Sequence, residues 1–330
     1  MNRIAFIMGN RSMYWSSILL TIAAAVAVCV FLALYLRRER SGVAAMTVVP
    51  LAIVLSLVFA RFLHWYCRAD SYPSLTAAMT NLSSGSFALM GVFAGCFLAA
   101  VLVRLFSLTD NLPRMLDCMA LGGAAGIAVG RLASFFDTTA RGPLVEGIRS
   151  LPWVYPVVNG VSGAEEYRLA TFLIQAVVTS LIFLALLVSS LIDERRDREK
   201  DGDTCLLFLL SYGASQVVLD STRYDSLFFR SNGFVSIVQV LGALEIGLAI
   251  IVFSVRLVRS RGWRNWFLVL WLVTAALLGL GGYMEYHVQR HAADAVFAYS
   301  VMSASLLGLV IMGVLIRCLA GDGKRDRYDT

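Results

Sequence analysis

The stretch MLDCMALGGAAGIAVGRLASFF, Met115 to Phe136, decides the fold class of this chain. A helix of this length rises about 33 Å, enough to cross the roughly 30 Å hydrocarbon layer of a bilayer. Apart from Asp117 and Arg131, its side chains are apolar or small. The stretch therefore predicts a membrane-spanning helix that carries an arginine near its end.

The composition of the whole chain also indicates a membrane. Of the 330 residues, 58% are hydrophobic and 15% are charged, whereas about a quarter of the residues in a soluble domain are charged. The apolar surplus is therefore expected to face lipid. The net charge of +6 is explained by basic loops beside anionic headgroups, and without a separate basic domain a nucleic-acid partner is excluded.

Nine apolar runs are long enough to cross a bilayer. They lie near 16–36, 43–63, 86–106, 115–136, 168–192, 204–221, 234–257, 265–284 and 295–317. The sequence therefore predicts an all-α, polytopic membrane helix bundle of about nine transmembrane helices.

Lysine and arginine are unequally divided between the two sides of this bundle. One set of alternating loops, which includes the C-terminus, carries seventeen of them, and the set that includes the N-terminus carries eight. The positive-inside rule then predicts an outside N-terminus and a cytoplasmic C-terminus. The long outer segments at 64–85 and 137–167 are expected to cover a cavity that a substrate enters from the outer leaflet.

Several polar side chains fall inside the predicted spans, where an ionised group costs about 2.5–3.5 kcal/mol unless it is paired or hydrated. They are Arg61, Asp117, Arg131, Gln175, Gln216, Asp220, Gln239 and Glu245. For the glutamines, hydrogen bonding between helices is the alternative to a functional role. For the two aspartates, the alternative is service as counter-ions that allow arginines to stay in the bundle.

Arg131 differs from the other polar residues because of its neighbours. The small residues at 121–130 allow another helix to approach closely and enclose the arginine. A permanently protonated guanidinium in such a place suits the phosphate of a lipid headgroup, which it binds through charge-assisted, bidentate hydrogen bonds. Arg61 and Arg223, near the outer ends of their helices, are expected to add to the same positive patch.

Several motifs occur in the order shown by one family of membrane enzymes. Its signature D…G…GRxGNFxNxExxG is matched by Asp117, Gly130, Arg131, Phe135, Asp137 and Gly142. Further blocks match at ARFL (60–63), GSFALMGVFAG (85–95), EEY (165–167), YGASQVVLDSTR (212–223) and SIVQVLGALEIG (236–247). Over residues 14–257 the chain therefore resembles bacterial prolipoprotein diacylglyceryl transferase.

The resemblance implies a function. Members transfer a diacylglyceryl group from phosphatidylglycerol to the lipobox cysteine of a secreted precursor, in the bacterial plasma membrane. It implies a seven-helix domain at 1–257. Beyond the resemblance, the apolar runs predict two additional helices at 258–317, and the charge distribution predicts a cytoplasmic tail at 318–330. The resemblance implies catalytic roles for Arg131, Asp117 and Asp220, and phosphate binding by Arg131, Arg61 and Arg223.

Five positions depart from the pattern of that family. Met90 stands where the family has a histidine, Gln216 replaces an arginine, Ser134 an asparagine, and Thr139 and Arg168 each a glutamate. A second hypothesis is therefore a non-catalytic relative that binds phospholipid or precursor and assists another membrane protein.

Cofactor and metal motifs are sparse. Neither a phosphate-cradling GxxxxGK[ST] nor a GxGxxG after a strand occurs, so no cofactor is expected. His287 and His291 stand one helical turn apart beside Glu285, a spacing that zinc can use. Because no third ligand accompanies them, we interpret the segment as an interfacial loop and predict no metal site.

Overall fold

A computed structural model describes residues 4–8, 11–39, 41–81, 87–137, 139–145, 153–158, 163–196, 200–230, 232–290 and 295–322. Within them the chain forms ten α-helices. They are α1 (Trp15–Glu39), α2 (Gly42–Cys67), α3 (Leu75–Thr80), α4 (Leu89–Leu105), α5 (Leu112–Arg131), α6 (Thr171–Arg195), α7 (Asp203–Ser221), α8 (Ile237–Arg261), α9 (Phe267–Arg290) and α10 (Ala295–Asp322).

Eight of these helices are long and apolar enough to cross a membrane, and α4, with 17 residues, is apolar but shorter. Each of the nine predicted spans corresponds to one of them. The predicted all-α, polytopic membrane helix bundle is confirmed, whereas the sidedness of the termini stays a prediction.

Large apolar side chains cover the outside of the helices. Met46, Leu272 and Val296 are 72%, 69% and 83% exposed. Burial of one such side chain away from water contributes about 1.5–3 kcal/mol, so a surface of this kind is unfavourable in water and suited to lipid. The apolar surplus in the composition therefore lies on the surface of the helices as well as in their core.

Among the described residues three antiparallel β-hairpins lie outside the helices, one before α1 and two in connections between helices. The sequence analysis did not predict them. They pair β1 (Ile4–Met8) with β2 (Arg11–Tyr14), β3 (Val154–Val158) with β4 (Glu165–Leu169), and β5 (Phe228–Phe229) with β6 (Asn232–Ser236). Outside a helix the backbone N–H and C=O groups still need partners, and pairing within a connection supplies them. The predicted outer segment 137–167 thus contains β3 and part of β4.

By their contacts the residues form two compact units. The first comprises Met1–Ser190, Lys200–Cys205 and Thr222–Ile237. In it α1 packs against α5, and α2 against α4. Its core includes Tyr35, Val48, Val103 and Met115, which are all buried. This unit contains Arg61, Asp117, Arg131 and Arg223.

The second unit comprises Leu191–Glu199, Leu206–Ser221 and Val238–Thr330. A Cβ atom on Gly213 of α7 would lie 2.8 Å from the carbonyl oxygen of Gly242 in α8, so these backbones touch. Trp271 of α9 donates its indole N–H to Ser254 of α8 at 3.1 Å, and α9 packs against α10. The division into 1–257, 258–317 and 318–330 stays a prediction.

Candidate functional site

Arg131 is the last residue of α5. The side chain of Asn111 begins the helix by accepting the N–H of Arg114 at 3.1 Å, and Pro113 suits the first turn, where its missing N–H is not needed. After Arg131 the chain continues as a 3₁₀ turn, Leu132–Phe135. The Arg131 side chain is partly buried, and the turn that follows it determines which groups surround it.

Small residues in the part of α5 that precedes this turn allow α1 to pack closely against α5. A Cβ atom on Gly122 would lie 2.6 Å from the carbonyl oxygen of Ala27, and one on Gly126 would lie 2.7 Å from the Ala27 Cβ. The predicted close approach of another helix is therefore confirmed. At the top of the pair, Trp15 stacks on Phe136, with 5.8 Å between the ring centroids.

Arg141 binds the backbone of the turn that follows Arg131. Its side chain is only 2% exposed, and its Nη2 group donates to the carbonyl oxygens of Ser134 at 2.8 Å and Asp137 at 3.0 Å. Its Cζ lies 4.4 Å from the ring centroid of Phe172 and 4.8 Å from that of Tyr155. Burial lowers the pKa of Arg141, and the nearby tyrosines and Asp137 oppose that shift.

Arg223 is fixed by an ion pair. Its Nε and Nη2 groups each donate to one carboxylate oxygen of Asp225 at 3.0 Å, and Asp225 also accepts the N–H of Ala140 at 3.0 Å. Burial by itself raises the pKa of Asp225. The hydrogen bonds and positive charge of Arg223, with the N–H of Ala140, outweigh burial and hold that pKa below its ordinary value.

These contacts connect two of the three predicted phosphate-binding arginines. Arg141 bonds the turn after Arg131, and the adjacent Ala140 bonds the carboxylate that holds Arg223. The backbone adds a further link, because the N–H of Tyr224 donates to the carbonyl oxygen of Arg141 at 3.1 Å. Arg131 and Arg223 therefore belong to one connected group of residues.

Arg61 has other partners. It is 1% exposed, and it donates from Nε to the carbonyl oxygen of Ala78 at 2.6 Å and from Nη2 to that of Asn81 at 2.7 Å. Its Cζ lies 5.0 Å from the ring centroid of Tyr72. Because free carbonyls at the end of a helix need donors, Arg61 holds the end of α3 against α2. The predicted phosphate contact of Arg61 stays a prediction.

Asp117 lies far along α5 from Arg131. The two residues are 14 positions apart, which corresponds to about 21 Å of helix. The Asp117 carboxylate accepts the backbone N–H groups of Gly202 and Cys205, both at 2.7 Å. N–H groups at the start of a helix have no partner within the helix, and a carboxylate is favourable there. Asp117 thus caps the N-terminus of α7 from another helix. The catalytic role predicted for Asp117 stays a prediction.

Asp220 and Gln216 lie on α7 in the second unit, and each is 1% exposed. Gln239 of the same unit donates to the carbonyl oxygen of Val217 at 3.4 Å, a bond between α7 and α8 of the kind expected of a helix-pairing glutamine. Glu245 is partly buried beside Gly213, at the place where α7 and α8 touch. Gln175 is completely buried in α6 of the first unit.

Comparison with known proteins now adds to this geometry. The sequence profile of a family described as prolipoprotein diacylglyceryl transferase matches residues 3–255. The chain belongs to that family. The match includes α5, Arg131, Arg141 and Arg223, and it ends before α9 and α10 begin.

Three proteins named phosphatidylglycerol–prolipoprotein diacylglyceryl transferase are similar to the chain. The one from Streptococcus agalactiae is 25% identical over 260 residues, which cover 77% of this chain and 96% of the relative. The one from Clostridioides difficile is 23% identical over 247 residues, covering 74% and 92%. The one from Listeria welshimeri is 24% identical over 257 residues, covering 75% and 88%.

The departures from the pattern of the prolipoprotein diacylglyceryl transferase family fall at ordered places. Met90, in the position of the histidine, is 5% exposed in α4. Ser134 and Thr139 lie next to each other, with their hydroxyl oxygens 3.4 Å apart. Ser134 lies in the turn that Arg141 binds, and Thr139 contacts it from two residues before Arg141, so both departures lie beside that turn.

Sequence reasoning missed Arg141 and Asp225. Both fall between predicted spans, in outer connections where an ionised group is ordinarily solvated, and nothing in the local sequence indicates that Phe172 and Tyr155 enclose Arg141. Among the described residues no three histidine, cysteine, aspartate or glutamate side chains are grouped as metal ligands. His291, paired with His287 in the sequence analysis, lies outside the described residues.

Proposed function

We propose that this protein transfers the diacylglyceryl group of phosphatidylglycerol to the lipobox cysteine of a precursor protein. The observation that carries this proposal is membership of the transferase family over residues 3–255. The matched region contains Arg131 at the end of a helix whose small residues touch α1. Family and site thus support the same chemistry.

Arg131 is the residue to which we assign the phosphate of the lipid. A guanidinium binds a phosphate through charge-assisted hydrogen bonds, and its charge persists at every physiological pH. Arg223 is neutralised by Asp225, so it supplies less net charge to an anion. Arg131 therefore carries most of the attraction, and the Arg223–Asp225 pair shapes the site beside it.

The reaction forms one bond and breaks one. The cysteine sulfur attacks the carbon of the diacylglyceryl group that is bonded to the phosphate oxygen. A C–S bond forms, and the C–O bond between that carbon and the phosphate oxygen breaks. The glycerol phosphate leaves with the bonding electron pair. Positive charge next to that phosphate stabilises the negative charge that develops on the leaving oxygen.

The thiol must lose its proton, because the thiolate is the nucleophile and a free cysteine has a pKa of about 8.5. A positioned general base that takes this proton contributes roughly 10²- to 10⁴-fold in rate. We propose Asp220, which lies on α7 within the matched region, as a further catalytic residue. Asp220→Asn is expected to lower kcat.

For the cellular setting we propose a multi-pass protein of the bacterial plasma membrane. Its N-terminus lies outside and its C-terminus in the cytoplasm, as the lysine and arginine distribution predicts. Phosphatidylglycerol then enters from the outer leaflet. The precursor presents its lipobox cysteine at the same side.

The decisive experiment measures transfer of labelled diacylglyceryl from phosphatidylglycerol to a lipobox peptide by the purified protein. Wild type is compared with Arg131→Ala and with Arg230→Ala, which removes an arginine that is 57% exposed in its side chain. Product with wild type and Arg230→Ala, but not with Arg131→Ala, supports the proposal. Binding of phosphatidylglycerol that depends on Arg131, without product, would instead indicate a non-catalytic relative.

A further inference from the structure

Arg141 is a buried arginine that the proposed reaction does not yet use. Its two described hydrogen bonds end on Ser134 and Asp137, in and just after the turn that follows Arg131. We propose that Arg141 is a positioning residue, which fixes this turn and thereby sets the direction of the Arg131 guanidinium towards the lipid phosphate. The inference rests on the proposed function and adds a residue to it.

Aromatic rings fix the Arg141 guanidinium. Phe172 and Tyr155 lie within 5 Å of its Cζ, so rotation of the side chain would lose cation–π contacts with both. Phe135, a residue of the turn itself, packs edge-on against Phe172, with 4.7 Å between centroids. The turn and the guanidinium are therefore held by the same rings.

The backbone around Arg141 is also fixed. The N–H of Gly142 donates to the carbonyl oxygen of Leu169 at 2.8 Å, and the N–H of Phe172 donates to that of Ala140 at 3.0 Å. Ala140 has a φ of 55°, a left-handed conformation that is unfavourable for alanine. Such a conformation persists only where the surrounding structure imposes it, so the position of Arg141 is imposed from both sides.

An apolar side chain at position 141 would destabilise the fold less than a buried arginine does. In the described part of the chain the buried Nε and Nη1 groups of Arg141 have no hydrogen-bond acceptor, and a buried donor without an acceptor destabilises a fold. A methionine or leucine would pack between the rings without that penalty. What arginine adds is the pair of hydrogen bonds from Nη2 to the turn.

The experiment measures KM for phosphatidylglycerol and kcat in the transfer assay for wild type, Arg141→Gln and Arg141→Lys. Arg141→Gln removes the charge and the ring contacts, so we expect kcat/KM to fall about 10- to 100-fold through misplacement of Arg131. Lysine keeps the charge and a donor nitrogen, so the kcat/KM of Arg141→Lys is expected to lie between those of Arg141→Gln and wild type.

Arg230→Gln is the control. The side chain of Arg230 is 57% exposed, and its ion pair is with Asp70 at 4.0 Å. Its kcat/KM is expected to stay within about twofold of wild type, since surface substitutions away from a site have small effects.

A double substitution separates positioning from stability. In an Arg131→Lys background the further change Arg141→Gln should cost much less than in wild type, because residues that act through one another are not additive. Equal costs in both backgrounds, or wild-type kinetics for Arg141→Gln, would overturn the inference and leave the proposed function intact. If Arg141→Gln does not fold, Arg141→Lys with wild-type kcat/KM overturns it instead. Wild type that transfers no lipid overturns both.

Discussion

The carboxylate of Asp117 accepts the backbone N–H of Cys205 at 2.7 Å, across 88 residues of sequence. The same carboxylate accepts the N–H of Gly202, so one side chain of α5 holds the beginning of α7. Asp117 was predicted from the sequence as a catalytic residue. That role stays a prediction, and its contacts also give Asp117 a place in the scaffold that can be tested separately.

Asp117→Ala is expected to destabilise the protein by about 1–3 kcal/mol, because two buried N–H groups lose their acceptor. The thermal midpoint in detergent measures this loss. Asp110→Ala, which removes a fully exposed aspartate, is the control and should leave the midpoint unchanged. An unchanged midpoint together with a reduced kcat for Asp117→Ala would support the catalytic role.

Arg61→Ala is expected to loosen the segment at the end of α3. The substitution leaves the carbonyl oxygens of Ala78 and Asn81 without their charged donor, and each such bond contributes about 1.5–3 kcal/mol. We expect a lower thermal midpoint and faster proteolytic cleavage at 75–81. Arg230→Ala should change neither; equal cleavage of all three proteins would show that Arg61 does not hold α3.

The ion pair of Asp225 with Arg223 should make stability depend on pH. The folded-state pKa of Asp225 lies below its usual 3.8, so its contribution is present at pH values above about 4 and is lost as the pH falls through the folded pKa. Asp225→Asn loses the contribution at neutral pH. The difference in thermal midpoint between wild type and variant should therefore be largest at pH 7 and shrink below pH 4.

A constant difference between wild type and Asp225→Asn from pH 7 to pH 3 would contradict this account. It would mean that the variant changes packing and not a charge interaction. High salt gives a second check, since the pair is mostly buried and partly buried pairs are screened little; the difference at pH 7 should survive 1 M salt.

Adjacent glycines of α5 should respond oppositely to substitution by alanine. A Cβ atom on Gly122 would lie 2.6 Å from a backbone oxygen of α1, whereas one on Gly123 meets nothing within 4 Å. Gly122→Ala is expected to cost about 1–3 kcal/mol through overpacking. Gly123→Ala should be neutral or stabilise the protein by up to about 1 kcal/mol through its higher helix propensity.

Thermal midpoints of the two variants, measured side by side in one detergent, decide this prediction. Equal midpoints would mean that α1 and α5 separate easily. Because Arg131 ends α5, Gly122→Ala should also reduce transfer by the folded protein. Gly123→Ala should keep wild-type transfer.

The sequence by itself determined the class of fold and the family. The apolar runs indicate a polytopic helix bundle, and the order of the motifs from Ala60 to Gly247 indicates the family, because both depend on residues that are near each other in the chain. The small residues of α5 likewise predicted a close helix neighbour. Only the contacts identified that neighbour as α1.

Only the tertiary structure showed what the charged residues contact. Asp117 and Arg131 share one helix, yet Asp117 caps α7, and Arg61 binds carbonyl oxygens at the end of α3. Arg141, read from the sequence as one basic residue of an outer loop, is enclosed by rings from β3 and α6. The role of an ionised group depends on which distant backbone and rings surround it, and those partners are brought together only by folding.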